Sequence, residues 1–510
     1  MAPRAVFGIW VSLFAIICLI RTFVFVGTGA DESEALILAQ EWRLGYGPIN
    51  PPLFVWLLIP ALELFGVDIG VVVALRFVIL TGTCFFLYLS AHRILQDKAL
   101  AALAALTPVA IYYFAWDSLF HYSHSALLTL AVSGTFYVFL RLEARRDLGS
   151  YILFGLALGL GMLSKYNFGL FAAALVAAAL LEREFRRCLL DRRIGVSLLI
   201  MVAVAAPHFI WLADHLAAFE SHVSGRFSPG AGASIVSRTD AAVTTITSAI
   251  SFLLPAAVFL LLFFPRAFLT NGTAAPVDGR YRRVLERLLL IMVVVMVLAV
   301  FLLGVSGIRT HYMFLLILFP VYAFVRIHAA EPRPRALNLY GVVLLALVVF
   351  LPLATTAKFV IDPQRGSKAR YNVPYEAFAA QIRKAGFDKG TILGDWLTYP
   401  VAGNLRPHFP DSRAVSLLNI EEEAFAHEKR EPFLPPREKG ADGMCLVVWT
   451  PRFDLGRVAS IVKFMNGLFG TRLESADVEP QFITAEMPPN SGRTVTLAYL
   501  LFGEGAGNCN

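Results

Sequence analysis

Apolar runs about as long as a bilayer core is thick recur along the first 356 residues, and short arginine-rich loops separate them. Such a run cannot be solvated as an extended chain, and in lipid every backbone N–H and C=O must be satisfied within the segment. The runs are continuous rather than alternating, so they predict helices and not barrel strands. Hydrophobic residues make up 57% of the chain and charged residues 16%, far from the near-even mix of soluble domains. The net charge of +7 points to no nucleic-acid partner, because the arginines sit in short loops between apolar runs, the positive-inside pattern.

Arg4 precedes a first run over Phe7–Val26 with no small-residue cleavage site, read as a retained helix. Leu53–Phe65 is short and holds Pro60, which suits an interfacial or re-entrant helix. Tyr151–Leu181 is too long for one crossing and is bounded by arginines at both ends. It reads as a hairpin of two shortened helices with Lys165 near its tip. Clusters such as Arg183, Arg186, Arg187, Arg192 and Arg193 mark cytoplasmic loops. With the N-terminus inside, about 11 crossings bring every cluster to one side. The acidic stretch after the first run, the loop holding Asp117, Lys165, the loop from Asp214 to Thr245, Arg309 and the tail from Ala357 then share the other side. The expectation is a polytopic α-helical membrane domain over residues 1–356 and a soluble α/β domain over 357–510. In that tail GTILGD, MCLVVW and TVTLAYLLF read as short buried strands, with helical stretches over 377–385 and 458–468. No GxGxxG or P-loop is present, so no nucleotide or other cofactor is expected. Cys445 and Cys509 can pair if the tail lies in an oxidising compartment.

The stretch from Gly29 to Trp56 packs Asp31, Glu32, Glu34 and Glu41 into otherwise apolar sequence. Asp31 reads either as a general base toward an acceptor hydroxyl or as a solvated helix cap, since DESEA is a good helix start. Asp117, among Trp116, His121, Tyr122 and His124, reads as a second acid or as a cap with interfacial aromatics. No metal site is expected from these histidines. Lys165 interrupts the hairpin and Arg309 sits with His311 and Tyr312 at a helix end, which places two cations on the side where the orientation rule disfavours them. A lipid phosphate accounts for them, as does snorkelling to headgroups. His208 reads as a ligand-binding or a satisfied core histidine.

Several motifs together carry a resemblance. Asp31-Glu32 follows the first helix; YGPINPPLFVWL, LGLGMLSKYNFGL, PHFIWLADHLAAFESHVSGR and GIRTHYMFLLILFP follow in order. The chain resembles GT-C class membrane glycosyltransferases of family 39, akin to protein O-mannosyltransferases and to the bacterial aminoarabinose transferases that modify lipid A. The resemblance covers about residues 1–356, with Asn50 standing where His or Lys is usual. It implies a sugar donor on a polyprenyl phosphate and an acceptor that is lipid A or its core, another envelope glycan, or a protein. Transfer would occur, with inversion, on the periplasmic side of a bacterial inner membrane. It implies Asp31 as base with Glu32 or Asp117 assisting, Lys165, Arg309, His311 and Tyr312 toward the lipid phosphate, and Asn50 and His208 at the substrate. A transporter or flippase of a lipid-linked sugar, or a non-catalytic envelope scaffold, are the other classes such a charge distribution serves.

Overall fold

A computed structural model describes residues 3–47, 49–216, 219, 235–269, 279–303, 308–365, 370–395, 400–417, 443–451, 458–459, 461–463, 466, 474 and 478–503. Among these, eight helices are long and apolar enough to cross a membrane. A ninth crossing results if Lys98–Ala110 and Tyr112–Leu119, bent by 83° at Ile111, count together. Leu53–Phe65, Leu148–Met162 and Phe168–Leu180 are apolar but shorter. The count of about 11 treats both arms of the hairpin as crossings. At 15 and 13 residues those arms span only about 20 Å each, less than a hydrocarbon core. The loop expected over Asp214–Thr245 ends earlier, because a helix already begins at Ile235, and its residues 220–234 lie outside the described ones. The helix expected at 458–468 is described only in part and Cys509 lies outside the described residues; Cys445 is disulfide-bonded.

Contacts divide the chain into two compact units: Met1–Ala15, Gly47–Phe54 and Arg76–Leu351 form the first, and Ile16–Tyr46, Val55–Leu75 and Pro352–Asn510 the second. The first is a helical bundle. Lipid supplies little hydrophobic drive between helices, so close backbone approach carries the packing. The helix Leu148–Met162 therefore lays Gly155 and Gly159 against Ile194–Asp214. A Cβ on Gly155 would stand 2.5 Å from the Ser197 carbonyl oxygen, and the Ser197 hydroxyl donates to the Tyr151 carbonyl at 2.7 Å. The Trp10 indole N–H donates to the Ala105 carbonyl at 3.0 Å. The arginine loops are tied to a few carboxylates. Glu182 accepts from Arg283 at 2.7 and 2.9 Å and from Arg287 at 2.6 Å, and Arg280 pairs with Glu143 at 3.2 Å. The Arg283 hydrogen bond holds the Glu182 carboxyl below its usual range.

The second unit is built on a five-stranded mixed sheet: β1 Gly390–Asp395, β2 Arg413–Leu417, β3 Met444–Trp449, β4 Gln481–Glu486 and β5 Thr494–Phe502. The order is β2-β1-β3-β5-β4. β1 runs parallel to β2 and β3, and β5 antiparallel to β3 and β4. Alternating side chains feed a core on each face, one around Phe378, Ile392, Leu405 and Leu446, the other around Leu393, Val415, Val447 and Leu500. The first of these cores contains Ile37, a residue of the acidic stretch. The membrane helix α1 (Pro3–Phe23) is followed by a nine-residue helix, α2 (Ala30–Leu38), and α2 packs into the tail sheet's core.

Candidate active site

In the second unit, Gly29 caps α2, and Ala30, Asp31 and Glu32 occupy its first turn. Acidic residues suit that position because the first helical N–H groups lack partners and the dipole favours negative charge. The two acids have different surroundings. Glu32 is fully buried; one carboxylate oxygen accepts from the Gly29 N–H at 3.1 Å, the other from Arg21 Nη2 at 3.1 Å. The Arg21 guanidinium lies 4.9 Å from the Phe25 ring centre and 4.5 Å from that of Tyr371. Asp31, one position earlier, is partly exposed. The α2 backbone is held from the tail. Gln40 donates to the Ala414 carbonyl at 2.7 Å and accepts the Ala414 N–H at 2.8 Å. Arg406 donates to the Leu36 carbonyl, and burial lowers its guanidinium to about 10, still charged at neutral pH. Gly403 lies so close to Ser33 that a Cβ there would stand 2.2 Å from its carbonyl oxygen.

In the first unit, Lys165 sits between the two hairpin helices. Its ammonium donates to Ser125 Oγ at 2.7 Å and lies 5.1 Å from the Tyr312 ring centre. An aromatic wall extends from there. His311 packs against Tyr312 at 4.2 Å and stacks on Tyr122 at 5.8 Å, the planes 9° apart, and Tyr122 meets His121 at 5.8 Å. Tyr122 holds this place in a left-handed backbone conformation, φ 68°, which costs a non-glycine residue about 1–3 kcal/mol and is characteristic of functional sites. Asp117 opens the same turn, its carbonyl accepting the His121 N–H at 2.8 Å. Arg309 is exposed and precedes the 3-10 helix Thr310–Leu318, its carbonyl accepting the Tyr312 N–H at 3.0 Å. The Asn50-Pro51-Pro52 bend is tied to the hairpin where the Leu53 N–H donates to the Leu163 carbonyl at 3.1 Å; Asn50 itself is partly exposed. His208 is buried, 3.1 Å from the Tyr166 hydroxyl, and stacks between Tyr166 and Trp211 at 5.9 and 5.8 Å. Lys165 and His311 thus both meet Tyr312, Asp117 joins through His121, and His208 contacts Tyr166, the chain neighbour of Lys165. Among the described residues no group of three His, Cys, Asp or Glu side chains is placed to hold a metal ion.

Sequence reasoning passed over Arg21, Ser125, Tyr371 and Asn404. Arg21 carried a signal, a cation at the far end of an apolar run eleven positions before Glu32. The other three are ordinary polar or aromatic residues whose partners lie far along the chain.

A bundle of apolar helices with an acidic helix after the first of them and a lysine at a broken hairpin, followed by a soluble α/β tail, has the architecture of a GT-C membrane glycosyltransferase. ArnT from Cupriavidus metallidurans, solved with undecaprenyl phosphate bound, superposes with a TM-score of 0.62 over 96% of this chain and 97% of that one. At 14% identity this likeness bears on the fold alone. The family model for dolichyl-phosphate-mannose-protein mannosyltransferases matches residues 49–211. Lipopolysaccharide core galacturonosyltransferase RgtA of Rhizobium johnstonii is 30% identical over 394 residues, 76% of each chain. RgtB of the same organism is 27% identical over 435 residues, 84% of this chain and 86% of that one. The chain belongs to the membrane glycosyltransferase family that includes these galacturonosyltransferases. It is a multi-pass membrane glycosyltransferase, which displaces the flippase reading.

Proposed function

We propose that the protein transfers a galacturonosyl group from a polyprenyl-phosphate carrier to the lipopolysaccharide core, at the periplasmic face of a bacterial inner membrane. The names of RgtA and RgtB support the sugar and the acceptor, and the lipid in the ArnT structure supports the carrier. The observation that carries the residue assignment is the division between adjacent acids. Glu32 has both oxygens engaged and is buried, whereas Asp31 is partly exposed in the same helical turn. Asp31 is accordingly the base and Glu32 a positioning residue. Asp31 takes the proton of an acceptor hydroxyl while its oxygen attacks the anomeric carbon. The bond from that carbon to the phosphate oxygen breaks on the opposite face, so the configuration inverts. The departing lipid phosphate is stable as an anion and needs no proton from the enzyme. Its growing charge is met by the Lys165 ammonium and by Arg309, a stabilisation strongest where water is excluded. His311 and Tyr312 line the phosphate, Asn50 and His208 the rest of the donor, and Asp117 orients the acceptor.

Asp31→Asn tests this reading. In a strain lacking the native gene, mass spectrometry of the lipopolysaccharide core is expected to show a uronic acid restored by the wild-type protein and absent with the variant, which still inserts and binds undecaprenyl phosphate. Near-normal transfer by Asp31→Asn would overturn the base assignment. Addition of a different sugar by the wild type would replace the donor.

A further inference from the structure

The approach to α2 is bonded to the tail at successive backbone positions. The Val26 and Gly27 N–H groups both donate to the Tyr371 carbonyl, at 3.2 and 3.1 Å. The Thr28 N–H donates to Asn404 Oδ1 at 2.8 Å, and the Gly29 N–H is taken by Glu32. Four consecutive donors immediately ahead of α2 are therefore committed, three of them to residues more than 340 positions away. Asn404 is fully buried, and its own amide donates to the Pro400 carbonyl at 2.8 Å, which turns the acceptor oxygen toward Thr28. The same Pro400 carbonyl accepts the Ser33 hydroxyl at 3.0 Å. Gly27 fits only because it lacks a side chain: a Cβ would meet the Arg370 carbonyl oxygen at 2.8 Å and that of Val373 at 3.1 Å. Tyr371 acts twice, through its carbonyl on residues 26 and 27 and through its ring beneath Arg21, which holds Glu32.

We propose that the tail is a positioning domain for the general base, with Asn404 the residue that sets where Asp31 stands. The proposal rests on the assignment of Asp31 as base. Buried hydrogen bonds to backbone N–H groups have well-defined geometry, and losing one releases the segment it held. A reacting group displaced by about 1 Å loses up to roughly a hundredfold in rate, with little effect on binding elsewhere.

The experiment uses the full chain in lipid nanodiscs, undecaprenyl-phosphate galacturonic acid as donor and lipopolysaccharide from a strain lacking the enzyme as acceptor. Asn404→Ala is expected to lower kcat by about ten- to a hundredfold and to leave the donor KM within about twofold. Asn404→Asp, which keeps an acceptor for the Thr28 N–H, recovers most of that rate. Gly27→Ala, which pushes the segment off Arg370 without deleting a partner, reproduces the kcat loss if Asn404→Ala does not accumulate. In single-turnover assays on an Asp31→Asn background, Asn404→Ala is expected to cause no further loss. An equal loss on both backgrounds, or a lower melting temperature with unchanged kcat, would make the tail contacts merely structural. Full turnover by Asp31→Asn alone overturns the base assignment instead, a result read without Asn404.

Discussion

Asp31 and Glu32 are the same chemistry one residue apart, and the fold separates them. On a helix, neighbours point about 100° apart, so one of an adjacent pair can face the core while the other does not. Glu32 faces Arg21, and both are buried. Removing either would strand the other's charge, which is why a buried pair of this kind is costly to break although weak as a net source of stability. Lys165 is held by Ser125 and by the Tyr312 ring. Lys165→Met is expected to raise the Kd for undecaprenyl phosphate by about ten- to a hundredfold, the worth of one charge-assisted hydrogen bond. Equilibrium binding of labelled lipid to the purified variant measures it, and unchanged affinity would remove Lys165 from the phosphate site. The position of Lys165 at the hairpin tip was legible as a charge inside an apolar run. Its hold by Ser125 was not, because a serine forty positions away carries no mark of its partner.

At the scale of elements, α2 is short and only weakly amphipathic, and a nine-residue helix is not stable alone in water. Its stability comes from docking: Ile37 enters the tail core, Gln40 is bonded twice to Ala414, and Gly403 admits the helix backbone. The tail itself carries a pH-sensitive element in the turn after Val401–Leu405. Burial lowers the His408 pKa, more than Glu376 and Asp68 raise it, with Arg383 also lowering it. A histidine depressed in the folded state is neutral there while the unfolded chain takes up protons below about pH 6.5. Its contribution is therefore complete above that pH and is lost as pH falls toward the folded value. The melting temperature of the protein is expected to drop between about pH 7.5 and 5.5, and His408→Gln is expected to flatten that slope. An unchanged slope in the variant would assign the pH dependence to other groups.

For the whole molecule, the charge asymmetry and the proposed chemistry make the same demand, that the arginine loops and the tail lie on opposite sides of the membrane. A cysteine at Asn490, an exposed turn of the tail, is expected to react with a membrane-impermeant maleimide in intact spheroplasts. One at Arg192, also exposed, is expected to react only after permeabilisation. The reverse pattern would invert the orientation and remove the periplasmic assignment.

Properties carried along the chain could be read before folding. Apolar length makes a run a membrane helix, arginine spacing orders the loops, and the break at Ser164-Lys165 splits one long run into a hairpin. The short apolar runs GTILGD, MCLVVW and TVTLAYLLF marked three of the five described strands; QFITAE and RAVSL, shorter or more exposed, did not stand out. The family motifs added the reaction class and the candidate residues. Which of two adjacent acids is enclosed, and that the helix bearing them sends Ile37 into the core of the soluble tail, depends on contacts made in the folded chain. Thr28 and Asn404 stand 376 positions apart. Nothing in the composition of either stretch records a bond that exists only when both are buried and each has no water left to bind.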